Sequence, residues 1–366
     1  MADTTKNSAA DFIMGITSAL NLKCPEIKFY DNEFDLQYNS DPEDTTDLTQ
    51  QPPFKVEDIE NVTQLLEFID YLKKSREYRK SLDYKQLIKL EEPLKELESL
   101  IGMHTVKKNI IYQIMYYIKK GYSLNEMLHT AVYGPPGSGK TSLAHIIGKI
   151  YLQLGILKNN KFVIGKRSNL IAKYLGQTAI KTKELMDSAK GGVLFIDEVY
   201  QLGAARDGNR DSFAKECVDT INQYLTENMG EIVVIVAGYE TDVKECFFAQ
   251  NQGLERRFPW TYDVGDYTPA DLEAIFIKQA REHGYDFSID AIESSFFTTN
   301  MKHFTFGGGD TENLMNKCKL VQSMRTLGSV SKDNIFVRDD IERGFKLFME
   351  HKERNAAAGP PPSMYS

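Results

Sequence analysis

Cysteine is scarce and tryptophan almost absent, with four and one in 366 residues. Cys24, Cys217, Cys246 and Cys318 lie 193, 29 and 72 positions apart, so neither a zinc ribbon nor a disulfide framework is indicated. The six histidines form no H-E-x-x-H. No apolar run approaches the ~18 residues of a membrane-spanning helix, and the first residues lack a basic region followed by an apolar one. An excess of positive charge is missing too. Lys and Arg number 44 against 52 acidic residues, a net charge of -8, which gives no global footprint for nucleic acid but leaves a local basic groove open. These absences predict a soluble cytoplasmic protein with no membrane partner.

What is present suffices for folding. Hydrophobic residues make up 42% and aromatics 11%, enough for sizeable cores, and the length suits two or three domains. Residues 1–60 stand apart, with thirteen acidic side chains against four lysines, so the remainder is close to neutral. Composition predicts a largely disordered acidic extension over 1–55, with residues 8–24 either a short amphipathic helix or a loose tail. Helical composition follows over 56–99. In 106–118 the apolar positions Val106, Ile110, Ile111, Ile114, Tyr117 and Ile118 recur at steps of three and four, one face of a helix.

Between residues 130 and 264 the texture alternates. Short apolar, β-branched runs at 130–133, 161–164, 193–196, 232–237 and 260–264 are separated by helical segments such as 142–154 and 212–228. Such strands predict a parallel sheet covered on both faces, an α/β nucleotide-binding domain over 100–265. After Asp266 the strands stop. Helical segments at 268–282, 289–300, 310–326 and 338–352 predict a small all-α lid over 266–354, followed by a disordered tail at 355–366.

Two motifs carry chemistry. Gly134-Pro135-Pro136-Gly137-Ser138-Gly139-Lys140-Thr141 fits G-x-x-x-x-G-K-[ST] without a mismatch, between a candidate strand and a helix. Glycines let the backbone wrap phosphates, and the amides of 137–141, at a helix start that includes Ser142, point inward. Lys140 suits the β/γ-phosphates of ATP and the Thr141 hydroxyl suits Mg²⁺. The bland alternative is a Gly-Pro turn before an amphipathic helix. The second motif, Gly192-Val-Leu-Phe-Ile-Asp197-Glu198, is an apolar strand ending in two acids, 57 positions after Lys140. Such carboxylates must hold a cation or stay solvated at the strand tip. Asp197 suits the hold on Mg²⁺, and Glu198 the polarisation of an attacking water.

With the segments HTAVYGPPGSGKTSLA, SNLIAKYLGQTAIKTKE, GGVLFIDEVYQL, VIVAGYE and GLERRF, the chain resembles AAA+ ATPases from about Leu97 to Met324. The branch it looks most like holds red-type Rubisco activase and stage V sporulation protein K. The resemblance implies a three-layer αβα P-loop NTPase domain with a helical lid, a homo-oligomeric ring of six, and ATP turnover coupled to work on a protein client. It places Lys173, Tyr174 and Leu175 in a client-gripping pore loop, the lesser alternative for Tyr174 being a buried aromatic between strand and helix. Arg206, Asp207, Arg210 and Asp211 fall at a second pore loop or in an ordinary charged loop. Arg257, with Arg256 second, would be the arginine finger for a neighbour's nucleotide, or a surface arginine. Tyr239 stands where most members carry a polar sensor. The lid segment 307–313 lacks the second-sensor arginine, leaving backbone, Lys317 or a neighbouring subunit to close on the nucleotide. Two other functions stay open: an AAA+ motor or switch acting on nucleic acid, disfavoured by the acidic balance, and an ATP-binding scaffold, disfavoured by the intact acid pair. No N-K-x-D motif is present to select guanine.

Overall fold

The computed structural model describes residues 55–75, 82–121, 126–174, 176–203, 211–327 and 334–358. All belong to one of the two units into which the chain divides, Gln50–Ser366. Residues 1–54 of the acidic extension, Leu175, and the Arg206, Asp207 and Arg210 of the suggested second pore loop lie outside the described residues.

Among the described residues, five parallel strands form the central sheet: β1 (Thr130–Tyr133), β2 (Phe162–Gly165), β3 (Val193–Ile196), β4 (Val233–Gly238) and β5 (Trp260–Asp263). Their order across the sheet is β2-β3-β4-β1-β5. The chain order therefore reverses around β1, which places a crevice at the carboxyl ends of β1 and β4. Strands apolar along their whole length are explained by two covered faces. Val132, Val193, Phe195, Ile235 and Tyr262 face one core, and Ala131, Leu194, Ile196, Val234 and Val236 face the other.

The first face is packed by α1 (Val62–Lys74), α2 (Leu82–Lys89), α3 (Glu91–Ser99), α4 (His104–Lys120) and α5 (Lys140–Gln153). The helices at 62–99 thus share a core with the sheet: Leu65, Ile69, Leu90 and Leu94 are fully buried in it. The periodic face of α4 buries Val106, Ile110, Ile111, Ile114 and Tyr117. The second face is packed by α6 (Thr178–Ser188) and α7 (Ser212–Glu227), whose first turn is capped by the Asp211 carboxylate.

The lid begins at α8 (Pro269–Glu282), where Thr268 and Asp271 form a capping box ahead of Pro269. It continues through α9 (Gly308–Thr326) to α10 (Arg338–Ala358), with a core of Phe276, Phe297, Leu314, Phe336 and Phe348. Three details depart from the sequence reading. A two-residue parallel ladder joins Asp286–Phe287 to Ile335–Phe336, and residues 289–295 form bends and turns ahead of a short helix, Phe296–Asn300. The ladder holds the chain in extended geometry just where a helix would have to start, and Ile289 stands fully exposed. The final helix also runs past residue 354, to Ala358, through an alanine run of high helix propensity.

Candidate functional site

β1 hands over to a loop that folds on itself. Gly134 bonds its N–H to the Gly238 carbonyl at 3.1 Å, and a Cβ there would sit 2.6 Å from Val264 Cγ2. Gly137 and Gly139 take left-handed backbones, φ +74° and +84°, before α5 begins at Lys140. The Ser138 hydroxyl turns inward onto the Pro135 carbonyl at 2.7 Å. Lys140 Nζ donates to the carbonyls of Gly134 (3.1 Å) and Pro135 (2.8 Å). Burial depresses the pKa of that ammonium, opposed by the negative charges of Asp197 and Glu198. A buried cation resting on two of its own carbonyls is poised to exchange them for an anion.

The two acids emerge where β3 ends, both exposed. Glu198 adopts φ +49°, ψ +43°, and its N–H bonds Asp197 Oδ1 at 2.9 Å. Gln201 Nε2 donates to the Glu198 carboxylate. Met103 is the other non-glycine residue with a left-handed backbone among those described (φ +56°). Its Cε lies 3.0 Å from where a Cβ on Gly139 would stand, so both strained residues border the phosphate loop.

Loop and acids enclose a cavity of about 350 Å³. Gly134, Pro136, Gly137, Gly139, Lys140, Thr141 and Ser142 line one side, and Asp197, Glu198, Tyr200 and Tyr239 the other. Pro135 and Ser138 complete the loop behind them. The Thr141 hydroxyl and Asp197 carboxylate are hard oxygen donors, few in number, which fits an ion that keeps waters and phosphate oxygens as its other ligands.

The lid closes directly on this loop. Tyr267 donates its O–H to the Ser138 carbonyl at 3.2 Å. At the start of α9 a Cβ on Gly308 would stand 3.1 Å from the Gly137 carbonyl oxygen, and one on Gly307 would collide with the Tyr267 ring. Gln279 Nε2 holds the Gly308 carbonyl at 2.9 Å. Where the sequence offers no arginine, bare glycine backbone meets the phosphate loop. Asp310 faces inward instead, paired with Lys352 at 2.9 Å.

A family profile described as "ATPase family associated with various cellular activities (AAA)" matches residues 130–246. The chain is 36% identical over 304 residues to a cfxQ-like protein of Acanthamoeba polyphaga mimivirus, covering 81% of this chain and 73% of that protein. It is 34% identical over 252 residues to stage V sporulation protein K of Bacillus subtilis, covering 65% and 77%. The chain belongs to the AAA ATPases. A third relative, the ESX-1 secretion system protein EccA1 of Mycobacterium tuberculosis, is 36% identical over 190 residues, half of this chain and 33% of EccA1.

Five further candidates of this AAA ATPase stand away from the cavity. Arg257 is half-buried: its Nε and Nη2 donate to Thr226 Oγ1 (3.1 and 2.8 Å) and its Nη1 to the Gly253 carbonyl (2.6 Å). Arg256 is exposed, with no hydrogen-bond partner among the described residues. Lys173 and Tyr174 project from the loop after β2, and Tyr174 is 69% exposed, which disposes of the buried-aromatic alternative. Lys181 Nζ ties that loop down through the carbonyls of Ser168 (2.6 Å) and Ile171 (3.0 Å). Asp211 caps α7 and pairs with Arg167. Met103, Tyr267, Gln279 and Gln201 escaped the sequence reading. Gly102-Met103, just ahead of the periodic helix, was the one local signal available.

Proposed function

We propose that this AAA ATPase hydrolyses ATP in a homo-oligomeric ring, with six protomers, and spends the cycle remodelling a protein client in the cytoplasm, as an activase-like chaperone does. The observation that carries this reading is Tyr174, a large aromatic held in solvent on a loop braced by Lys181 and Thr182. Apolar contact without hydrogen-bond readout suits a polypeptide of any sequence. The stage V sporulation protein K and EccA relatives support action on proteins rather than nucleic acid, and so does the net charge of -8.

In the chemistry that follows, Lys140 leaves the loop carbonyls for phosphate oxygens, and the amides of the loop take the rest of the tail. Thr141 and Asp197 would hold Mg²⁺, which when bound would supply positive charge against the phosphates. Glu198 accepts a proton from the attacking water, a role worth roughly 10²–10⁴-fold in rate. Arg257 from a neighbouring protomer stabilises charge on the γ-phosphate.

No helix among the described residues is long and apolar enough to cross a membrane. The decisive test is Glu198→Gln, followed by fluorescent-nucleotide titration, phosphate release and sizing. Turnover is expected to fall at least 10²-fold while ATP stays bound and the oligomer persists. Turnover at the wild-type rate would remove Glu198 from the chemistry.

A further inference from the structure

We infer that Thr226 is a positioning residue for the arginine finger, working across the subunit boundary rather than at its own chain's nucleotide. This rests on the reading of Arg257 as the finger.

Arg257 does not line the phosphate cavity of its own chain. It is nevertheless tightly held. A guanidinium carries five N–H donors. Two of them meet one oxygen, Thr226 Oγ1 at the end of α7, and a third meets the Gly253 carbonyl. One N–H is left on each terminal nitrogen, the number that a pair of phosphate oxygens accepts. The acceptors are fixed in turn. The Thr226 hydroxyl gives its own hydrogen to the Asn222 carbonyl at 3.0 Å, so its lone pairs are free for the guanidinium. Asn251 accepts from the Gly253 N–H at 3.0 Å and donates to Asp219 at 3.1 Å, which pins the Gly253 turn to α7.

A surface arginine held for stability needs no such arrangement. A finger does, because a long side chain fixed in advance loses little further rotamer freedom when it engages a neighbour's phosphate. Arg256, exposed beside it, has no comparable support. The arrangement therefore selects Arg257 of the two and makes Thr226 its anchor.

The test compares Thr226→Val, which keeps the shape and removes the acceptor, with Thr226→Ser, which restores it. Thr226→Val is expected to lower kcat about tenfold, a part of the 10³–10⁵ that a whole finger is worth. Nucleotide affinity and thermal midpoint should stay near wild type, and Thr226→Ser should lie within about twofold of it. Rings mixed from Thr226→Val and Glu198→Gln protomers should turn over faster than either parent, since the second parent supplies an intact finger to the first parent's intact site. A Thr226→Val enzyme at the wild-type rate, or one whose loss is not relieved in mixed rings, or one that loses nucleotide affinity, overturns the inference. Arg257→Ala separates this from failure of the underlying reading: if that variant too works at full rate, Arg257 is no finger. If it alone is inactive, the finger stands and the Thr226 anchor does not.

Discussion

Tyr267 and Ser138 lie 129 positions apart, yet the phenol of one donates to the backbone carbonyl of the other across 3.2 Å. The bond joins the entrance of the lid to the middle of the phosphate loop. Burial raises the Tyr267 pKa to about 12, so the O–H stays a donor throughout the physiological range. His104, at the start of α4, meets the Asp271 carboxylate of the same lid entrance at 3.2 Å.

Tyr267→Phe keeps the ring that packs on Gly307 and removes only the donor. A hydrogen bond of this kind contributes about 0.5–1.5 kcal/mol. The expected result is nucleotide affinity roughly two- to tenfold weaker, with little change in the thermal midpoint, as read by titration of a fluorescent ADP analogue. Unchanged affinity would mean that lid and loop are not coupled through this contact.

The motifs were legible because their chemistry is local. Glycines, lysine and threonine act within one turn between a strand and a helix, and five apolar runs marked the strands to within a residue or so of Phe162–Gly165 and Val233–Gly238. What joins the motifs to the rest was hidden, for it depends on distant pairs. Thr226 and Arg257 are 31 positions apart, and nothing near either residue announces the other. The lid was harder again. A glycine run with no arginine reads as a missing function, and only the packed structure shows those glycines admitting backbone close to the loop while Asp310 turns to Lys352.

That buried pair supports a second prediction. Asp310 is 2% exposed and accepts from the Phe306 N–H at 2.8 Å as well as from Lys352. Lys352→Met would strand a carboxylate in the lid core, which costs about 3–5 kcal/mol. Joint replacement with Asp310→Asn should recover much of that loss, because no charge is then left unpaired. Denaturant unfolding of the single and double variants measures both. Equal stabilities for the two would show that the carboxylate left unpaired by Lys352→Met costs nothing.

The last prediction concerns acid. His129, 2% exposed, precedes β1 and lies beside the segment that carries Arg257, its ring centroid 5.6 Å from that of Phe258. Its Nδ1 accepts the Val234 N–H at 3.1 Å, which requires the neutral ring. Burial first, and the charge of Arg257 second, push its pKa from 6.5 down to about 3. Below pH 6.5 the unfolded chain therefore takes up a proton that the folded chain refuses, so stability is complete above that value and declines toward pH 3. Between pH 7 and pH 5 the loss is about 2 kcal/mol, from one proton over some 1.5 units. His129→Asn places Oδ1 where Nδ1 stood and keeps the acceptor without a titrating group. Its unfolding free energy should lie below wild type at pH 7, since the ring contact with Phe258 is lost, but should change less between the two pH values. If both proteins lose stability equally over that interval, His129 is not the group responsible.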